Sequence, residues 1–148
     1  MFNFEQPCQV FIFIFTFMPI HVLLADSTQA VRRVIRTMLE NEPEIRLVAE
    51  AASFAETVQL ARKLKPHIIL IDVHMPDEGK VPPQHVRSHL SAADARVLAM
   101  SVWNDEKTRT QATSFGAITL LDKMKLGVEL IPAIKQHAAA RREHTAGS

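Results

Sequence analysis

A chain of 148 residues with 47% hydrophobic and 22% charged side chains has room for about one folded domain, which excludes a disordered chain. Lys and Arg total 17 against 16 Asp and Glu, so the net charge is +1, without the basic excess of a binder that works by neutralising nucleic-acid phosphates. The single cysteine, Cys8, excludes an internal disulfide and a multi-thiolate metal site, and a reduced, cytoplasmic domain is expected.

The chain opens on a segment unlike the rest. Six of the eight phenylalanines (Phe2, Phe4, Phe11, Phe13, Phe15 and Phe17) fall within residues 1–17, and Glu5 is the only Asp, Glu, Lys or Arg before Asp26. Residues 10–25 are apolar apart from Thr16, Pro19 and His21, short of the ~20 residues of a spanning helix. A secretory signal would need a positive start and a small-residue cleavage site, and neither is present. The alternation of Phe11, Phe13, Phe15 and Phe17 has the period of a strand, an aggregation hazard if exposed. Met18 precedes Pro-Ile-His-Val-Leu-Leu-Ala-Asp, a natural domain opening. Residues 1–17 are therefore read as sequence upstream of the true start, with a weak membrane anchor as the alternative. The folded domain is expected over residues 18–138, with a polar tail over 139–148.

From there, short apolar runs alternate with amphipathic stretches. Residues 20–25 predict a strand, and Val31, Val34, Ile35, Met38 and Leu39 then form the stripe of a helix. A strand over 45–49 is followed by a second stripe at Phe54, Val58, Ala61 and Leu64, and a third strand by residues 67–71. Residues 77–84, with Gly79, Pro82 and Pro83, read as a loop into a short helix. After a strand over 96–100, Asn104 is expected to cap a helix whose first turn carries Asp105 and Glu106. The fifth strand spans 118–121. Val128, Ile131 and Ile134 mark a last helix, where Pro132 must fall in the first turn or introduce a kink. Near-continuous apolar strands alternating with helices require a parallel sheet covered on both faces, an α/β, doubly wound fold. In such a sheet the ligand site lies beyond the carboxyl ends of the strands.

The polar residues at those ends are specific. Asp26 ends the first strand, Asp72 the third and Ser101 the fourth, and Lys123 follows the fifth. Two carboxylates, a hydroxyl and a lysine can bind a divalent cation and a phosphoryl group together. Hard oxygen ligands suit Mg²⁺, and a carboxylate can serve as nucleophile to form an aspartyl phosphate. Lysine and hydroxyl would then hold the phosphoryl oxygens.

In these residues the chain resembles the receiver domain of bacterial two-component response regulators. The resemblance runs from about Pro19 to Gln136, on Val-Leu-Leu-Ala-Asp26, Ile-Ile-Leu-Ile-Asp72-Val-His-Met-Pro76, Val-Leu-Ala-Met-Ser101 and Phe-Gly-Ala-Ile-Thr-Leu-Leu-Asp-Lys123. It implies a flavodoxin-like (βα)5 sheet with strand order 2-1-3-4-5. By the same resemblance Asp72 accepts a phosphoryl group from a sensor histidine kinase or phosphotransfer protein. Mg²⁺ is held by Asp26, Asp72 and the main-chain carbonyl of His74, while Ser101 and Lys123 bind phosphate and switch. Two positions depart from the pattern. Ser27 stands where the family carries a second acid that usually touches the metal directly, so weak Mg²⁺ binding is expected. Leu120 stands where many receivers have a Tyr or Phe that turns inward on activation.

The same residues have ordinary readings. Asp26 could cap the following helix, Ser101 could be a small strand-end residue, and Lys123 a solvated lysine. As a phosphate-binding lysine, Lys123 packs little, so its loss is expected to leave the fold intact and to abolish the phosphorylation-dependent change. Asp72 has no such excuse, because an unpaired buried carboxylate is costly. His85 and His89 have a chelating i, i+4 spacing but no third ligand nearby, so a solvated helix face is expected. Trp103 is either a partner anchor or a half-buried ring.

The segment after Ile134 is too short for a helix-turn-helix output domain. The expectation is a single-domain regulator, similar to the receiver half of nitrate/LuxR-type regulators and acting by phosphorelay and protein contacts. Its partners are a kinase or phosphotransfer protein and a downstream protein, with self-association left open. Direct nucleic-acid binding, membrane association and enzymatic activity are not expected. The alternative is a pseudo-receiver that binds proteins without phosphate. An aspartate-nucleophile phosphatase is disfavoured, because that family carries a second Asp two residues after its nucleophile, where this chain has His74.

Overall fold

The five apolar runs pair edge to edge and the amphipathic stretches fold back over them. In a computed structural model that describes residues 18–146, the strands are β1 (Ile20–Ala25), β2 (Ile45–Ala51), β3 (Ile68–Asp72), β4 (Arg96–Ser101) and β5 (Thr119–Asp122). The helices are α1 (Gln29–Glu40), α2 (Phe54–Leu64), α3 (Pro83–Ala92), α4 (Glu106–Ser114) and α5 (Leu126–Ala146), the last preceded by a short 3₁₀ turn, Lys123–Lys125. The phenylalanine-rich segment 1–17, and with it the start-site reading, lies outside the described residues.

All pairings are parallel and the order is β2-β1-β3-β4-β5, as expected from the resemblance. Side chains alternate between two cores, as the pleat requires. Leu23, Ile69, Ile71, Val97 and Ala99 face one core with Phe54, Val58, Val86, Leu90 and Phe115. Val22, Leu24, Ile68, Leu70, Leu98 and Met100 face the other with Ile35, Leu39, Leu130 and Ile134. Every β3 residue is buried, so its ends are set by both layers at once.

Several boundaries moved. β2 runs two residues further than residue 49, and β3 and β4 extend to include Asp72 and Ser101. A register shift between Val22 and Leu23 pairs Val22 with Leu47 but Leu23 with Ala49. Asp105, not Asn104, caps α4: its carboxylate accepts the Thr108 N–H at 2.7 Å. In α5 the buried face is Leu126, Leu130, Ile134 and Ala138, while Val128 is 80% exposed. Val34 on α1 is likewise exposed. Pro132 lies inside α5 rather than in its first turn, on an exposed position where water can replace the lost backbone bond. α5 also continues into the stretch set apart as a tail.

The loop after β3 is tied down from a distance. Asp77 accepts the N–H groups of Phe54 at 2.9 Å and Ala55 at 3.0 Å, so a carboxylate from this loop caps α2 beside its own cap, Ser53. Gly79, at φ +85°, then lets the loop turn back. Asp77→Ala removes two charge-assisted bonds at a helix N-terminus and is expected to cost about 1–2 kcal/mol. A lower midpoint in chemical denaturation checks this.

Candidate functional site at the carboxyl ends of the strands

Parallel pairing sets the polar strand ends side by side. Ala25, which precedes Asp26, lies opposite Ile71; Asp72 lies opposite Met100, and Ser101 opposite Asp122, which precedes Lys123. Asp26 is fully buried and Asp72 is 6% exposed. The Lys123 ammonium stands between them, 2.5 Å from Asp26 Oδ2 and 3.2 Å from Asp72 Oδ2, its side chain 13% exposed. The other carboxylate oxygens accept main-chain N–H groups, Asp26 Oδ1 from Thr28 at 2.8 Å and Asp72 Oδ1 from His74 at 3.1 Å. Asp26 thus caps the turn into α1 and also takes part in the cleft. Ser101 Oγ accepts the Trp103 N–H at 3.0 Å.

Arg32 holds this cluster from outside. It donates to the main-chain carbonyl of Asp26 at 2.6 Å and sits 3.4 Å from Glu50 on β2. Glu50 also takes two bonds from Arg36, at 2.7 and 2.8 Å, and Arg36 is the first cause holding its carboxyl below the usual carboxylate range.

Burial pushes the Asp72 carboxyl above the ordinary carboxylate value, against the opposing effects of Lys123 and the His74 N–H. The folded chain therefore binds this proton more tightly than the unfolded one. Ionised Asp72 costs stability, and that cost is absent below the unfolded value of ~3.9 and grows as pH rises through the folded one. Asp72→Asn is expected to stabilise the protein by about 1 kcal/mol at pH 7 and by less at pH 4. Denaturation midpoints at the two pH values check this.

The donor set suits a hard cation. Each carboxylate oxygen in the cleft keeps a lone pair beyond the bonds described, and the main-chain carbonyl of His74 lies two residues on from Asp72. Mg²⁺ is commonly held by one or two carboxylates and waters, so these residues fit it, with Lys123 competing for both carboxylates. Ser27 is exposed beside Asp26, and Leu120 packs as an aliphatic side chain against the core on the α2–α4 side. Among the described residues no group of three or more His, Cys, Asp or Glu stands ready for a metal. His89 spends Nδ1 on the His85 carbonyl at 2.8 Å.

Three residues of this region were not singled out by sequence. Arg32 and Asp77 act through contacts invisible to local patterns, and Glu78 bonds to His74 at 3.3 Å and to Gln111 on α4. The i, i+4 spacing of His74 and Glu78 was the only local signal. Trp103 is neither buried nor free: it is 60% exposed and meets the His74 ring edge-on.

A family model, the response regulator receiver domain, matches residues 22–135. The chain belongs to this family. This receiver domain is 33% identical over 125 residues to the response regulator GacA of Pseudomonas protegens, covering 83% of this chain and 57% of that protein. It is 32% identical over 108 residues to a protein-glutamate methylesterase/protein-glutamine glutaminase of Myxococcus xanthus, covering 71% of this chain and 30% of that protein. It thus spans about half, or less, of the length of these relatives. A LuxR-family response regulator from Aurantimonas sp. shares its structure with a TM-score of 0.71 at 29% identity, over 83% of this chain and 87% of that one. The receiver domain of NarL from Mycobacterium tuberculosis gives 0.72 at 24% identity, over 82% and 97%, a likeness of fold. Among the described residues no helix is long and apolar enough to cross a membrane.

Proposed function

We propose that this receiver domain accepts a phosphoryl group on Asp72 from a sensor histidine kinase or phosphotransfer protein and signals through protein contacts. The observation that carries the proposal is the Lys123 ammonium bridging two buried carboxylates at the strand ends. A buried acid pair with one cation is costly to keep, and phosphoryl transfer is a use that repays it.

In the transfer, a carboxylate oxygen of Asp72 attacks phosphorus. The bond from phosphorus to the donor's imidazole nitrogen breaks, and that nitrogen keeps the electron pair. Formation of the acyl phosphate removes the charge on Asp72 that held Lys123, so the ammonium can turn to a phosphoryl oxygen while keeping Asp26. The Ser101 hydroxyl, one strand away, supplies a second donor. Mg²⁺ held by Asp26, Asp72 and the His74 carbonyl would supply the charge that offsets the phosphoryl oxygens. Arg32 keeps Asp26 in place for both tasks. The net charge of +1 favours protein partners over nucleic acid.

A second reading has its own observations: Ser27 in place of an acid and Leu120 in place of a ring fit a pseudo-receiver that binds partners without phosphate. Incubation with acetyl phosphate and Mg²⁺, followed by intact mass, separates the two. The phosphoacceptor gains one phosphoryl group per chain. A folded protein that gains none is a pseudo-receiver, and steady turnover of a phosphoester would instead indicate a phosphatase.

A further inference from the structure

Two rings stand beside the cleft, each tied through its main chain to an oxygen that a phosphoryl group on Asp72 would engage. The His74 N–H donates to Asp72 Oδ1 at 3.1 Å, and the Trp103 N–H to Ser101 Oγ at 3.0 Å. The rings meet edge-on, centroids 5.5 Å apart and planes at 77°. His74 Nε2 is buried with no hydrogen-bond partner. Such a nitrogen is unfavourable to bury, so the ring is held by what surrounds it: Trp103, and Glu78 at Nδ1, 3.3 Å away.

Glu78 extends this pair to α4, because its other oxygen accepts from Gln111 Nε2. α4 is held mainly at its ends, by the Asp105 cap and by the buried Phe115 that follows its last turn, and lightly along its length. Its buried residues are Thr108 and Ala112, both small, whereas α2 buries Phe54, Thr57, Val58 and Ala61. An open groove lined by Glu78, Lys107, Gln111 and Ser114 leaves this face of α4 to solvent.

We propose that the His74–Trp103 ring pair, with Glu78, is the device that couples phosphorylation of Asp72 to α4 in this chain. The inference rests on the phosphoacceptor reading above. As an acyl phosphate Asp72 no longer offers the His74 N–H a charged oxygen, which weakens that bond, and the Ser101 hydroxyl swings toward the phosphoryl group, loosening Trp103. Both anchors weaken together, the Glu78 side chain follows the His74 ring, and Gln111 is released. Leu120 has no ring to turn, so this route does not pass through it.

Amide hydrogen exchange of residues 106–114 tests this in wild type, Trp103→Leu, Trp103→Phe and Glu78→Ala, before and after acetyl phosphate treatment. Before treatment, Trp103→Leu and Glu78→Ala should exchange several-fold faster than wild type in α4, with residues 54–64 unchanged, while Trp103→Phe, which keeps a ring, behaves as wild type. After treatment, wild type should rise to the level of the two loosened variants, which rise no further. Wild-type exchange in both untreated variants, or a full further rise on their phosphorylation, overturns the proposal. Failure of wild type to take up phosphate overturns the phosphoacceptor reading and its trigger, while the untreated proteins still decide whether the ring pair holds α4.

Discussion

Lys123→Ala is expected to destabilise the fold by about 2–4 kcal/mol at pH 7, and not only to silence the site. The sequence suggested a lysine that packs little. In the structure its ammonium is the cation shared by Asp26 and Asp72, both nearly or fully buried. Removing one partner of a buried ion pair typically costs about 3–5 kcal/mol, because the remaining charge is left uncompensated. The residual exposure of the Lys123 side chain, 13%, places this case somewhat lower. Without the ammonium the Asp72 carboxyl loses the main effect that opposes burial and moves further up, so the variant loses stability as pH rises above the unfolded value of ~3.9 and regains it below. Asp72→Asn in the same chain should restore much of the loss, since only Asp26 then lacks a cation. Denaturation of the single and double variants at pH 4 and 7 measures both effects. An unchanged midpoint for Lys123→Ala at pH 7 would mean that the carboxylates do not depend on it.

Ser27→Asp is expected to tighten Mg²⁺ binding about tenfold. Two unit charges ~4 Å apart interact by ~4 kcal/mol at an effective dielectric of ~20, and Mg²⁺ carries two. Desolvation and repulsion from Asp26 and Asp72 offset most of this, leaving a net ~1–2 kcal/mol. Ser27 is exposed beside Asp26, so an acid there can reach the cleft mouth without being enclosed. The same change should lower metal-free stability, because three carboxylates then share one lysine. Trp103 meets the ring of His74 edge-on, and the His74 N–H binds Asp72, so its fluorescence should report Mg²⁺ in a titration of both proteins. Equal affinity would remove the cleft as an Mg²⁺ site.

The strand ends were legible because parallel strands buried on both faces read as unbroken apolar runs, and a polar residue that stops such a run stands out. Asp26, Asp72, Ser101 and Lys123 were found this way, and the structure brings Asp26, Asp72 and Lys123 into contact. Helix faces were less legible. A stripe wide enough to include Val34 and Val128 does not say which edge of it turns outward, and both are exposed. The cap of α4 slipped by one residue because Asn104 and Asp105 are both good caps and only the backbone chooses. Long-range polar contacts left no local trace: Asp77 caps α2 from 23 residues away, and Glu78 meets Gln111 across 33. Nor did the register shift between β1 and β2, which is a property of the pair rather than of either strand.

Labelling of wild type and Asp72→Asn with acetyl phosphate and Mg²⁺, followed by hydroxylamine, tests the central claim most directly. The account predicts one phosphoryl group on wild type, stable in acid and released by hydroxylamine as an acyl phosphate must be, and none on Asp72→Asn despite a fold at least as stable. Equal labelling of the two proteins, or a phosphoryl group that hydroxylamine does not release, would contradict it.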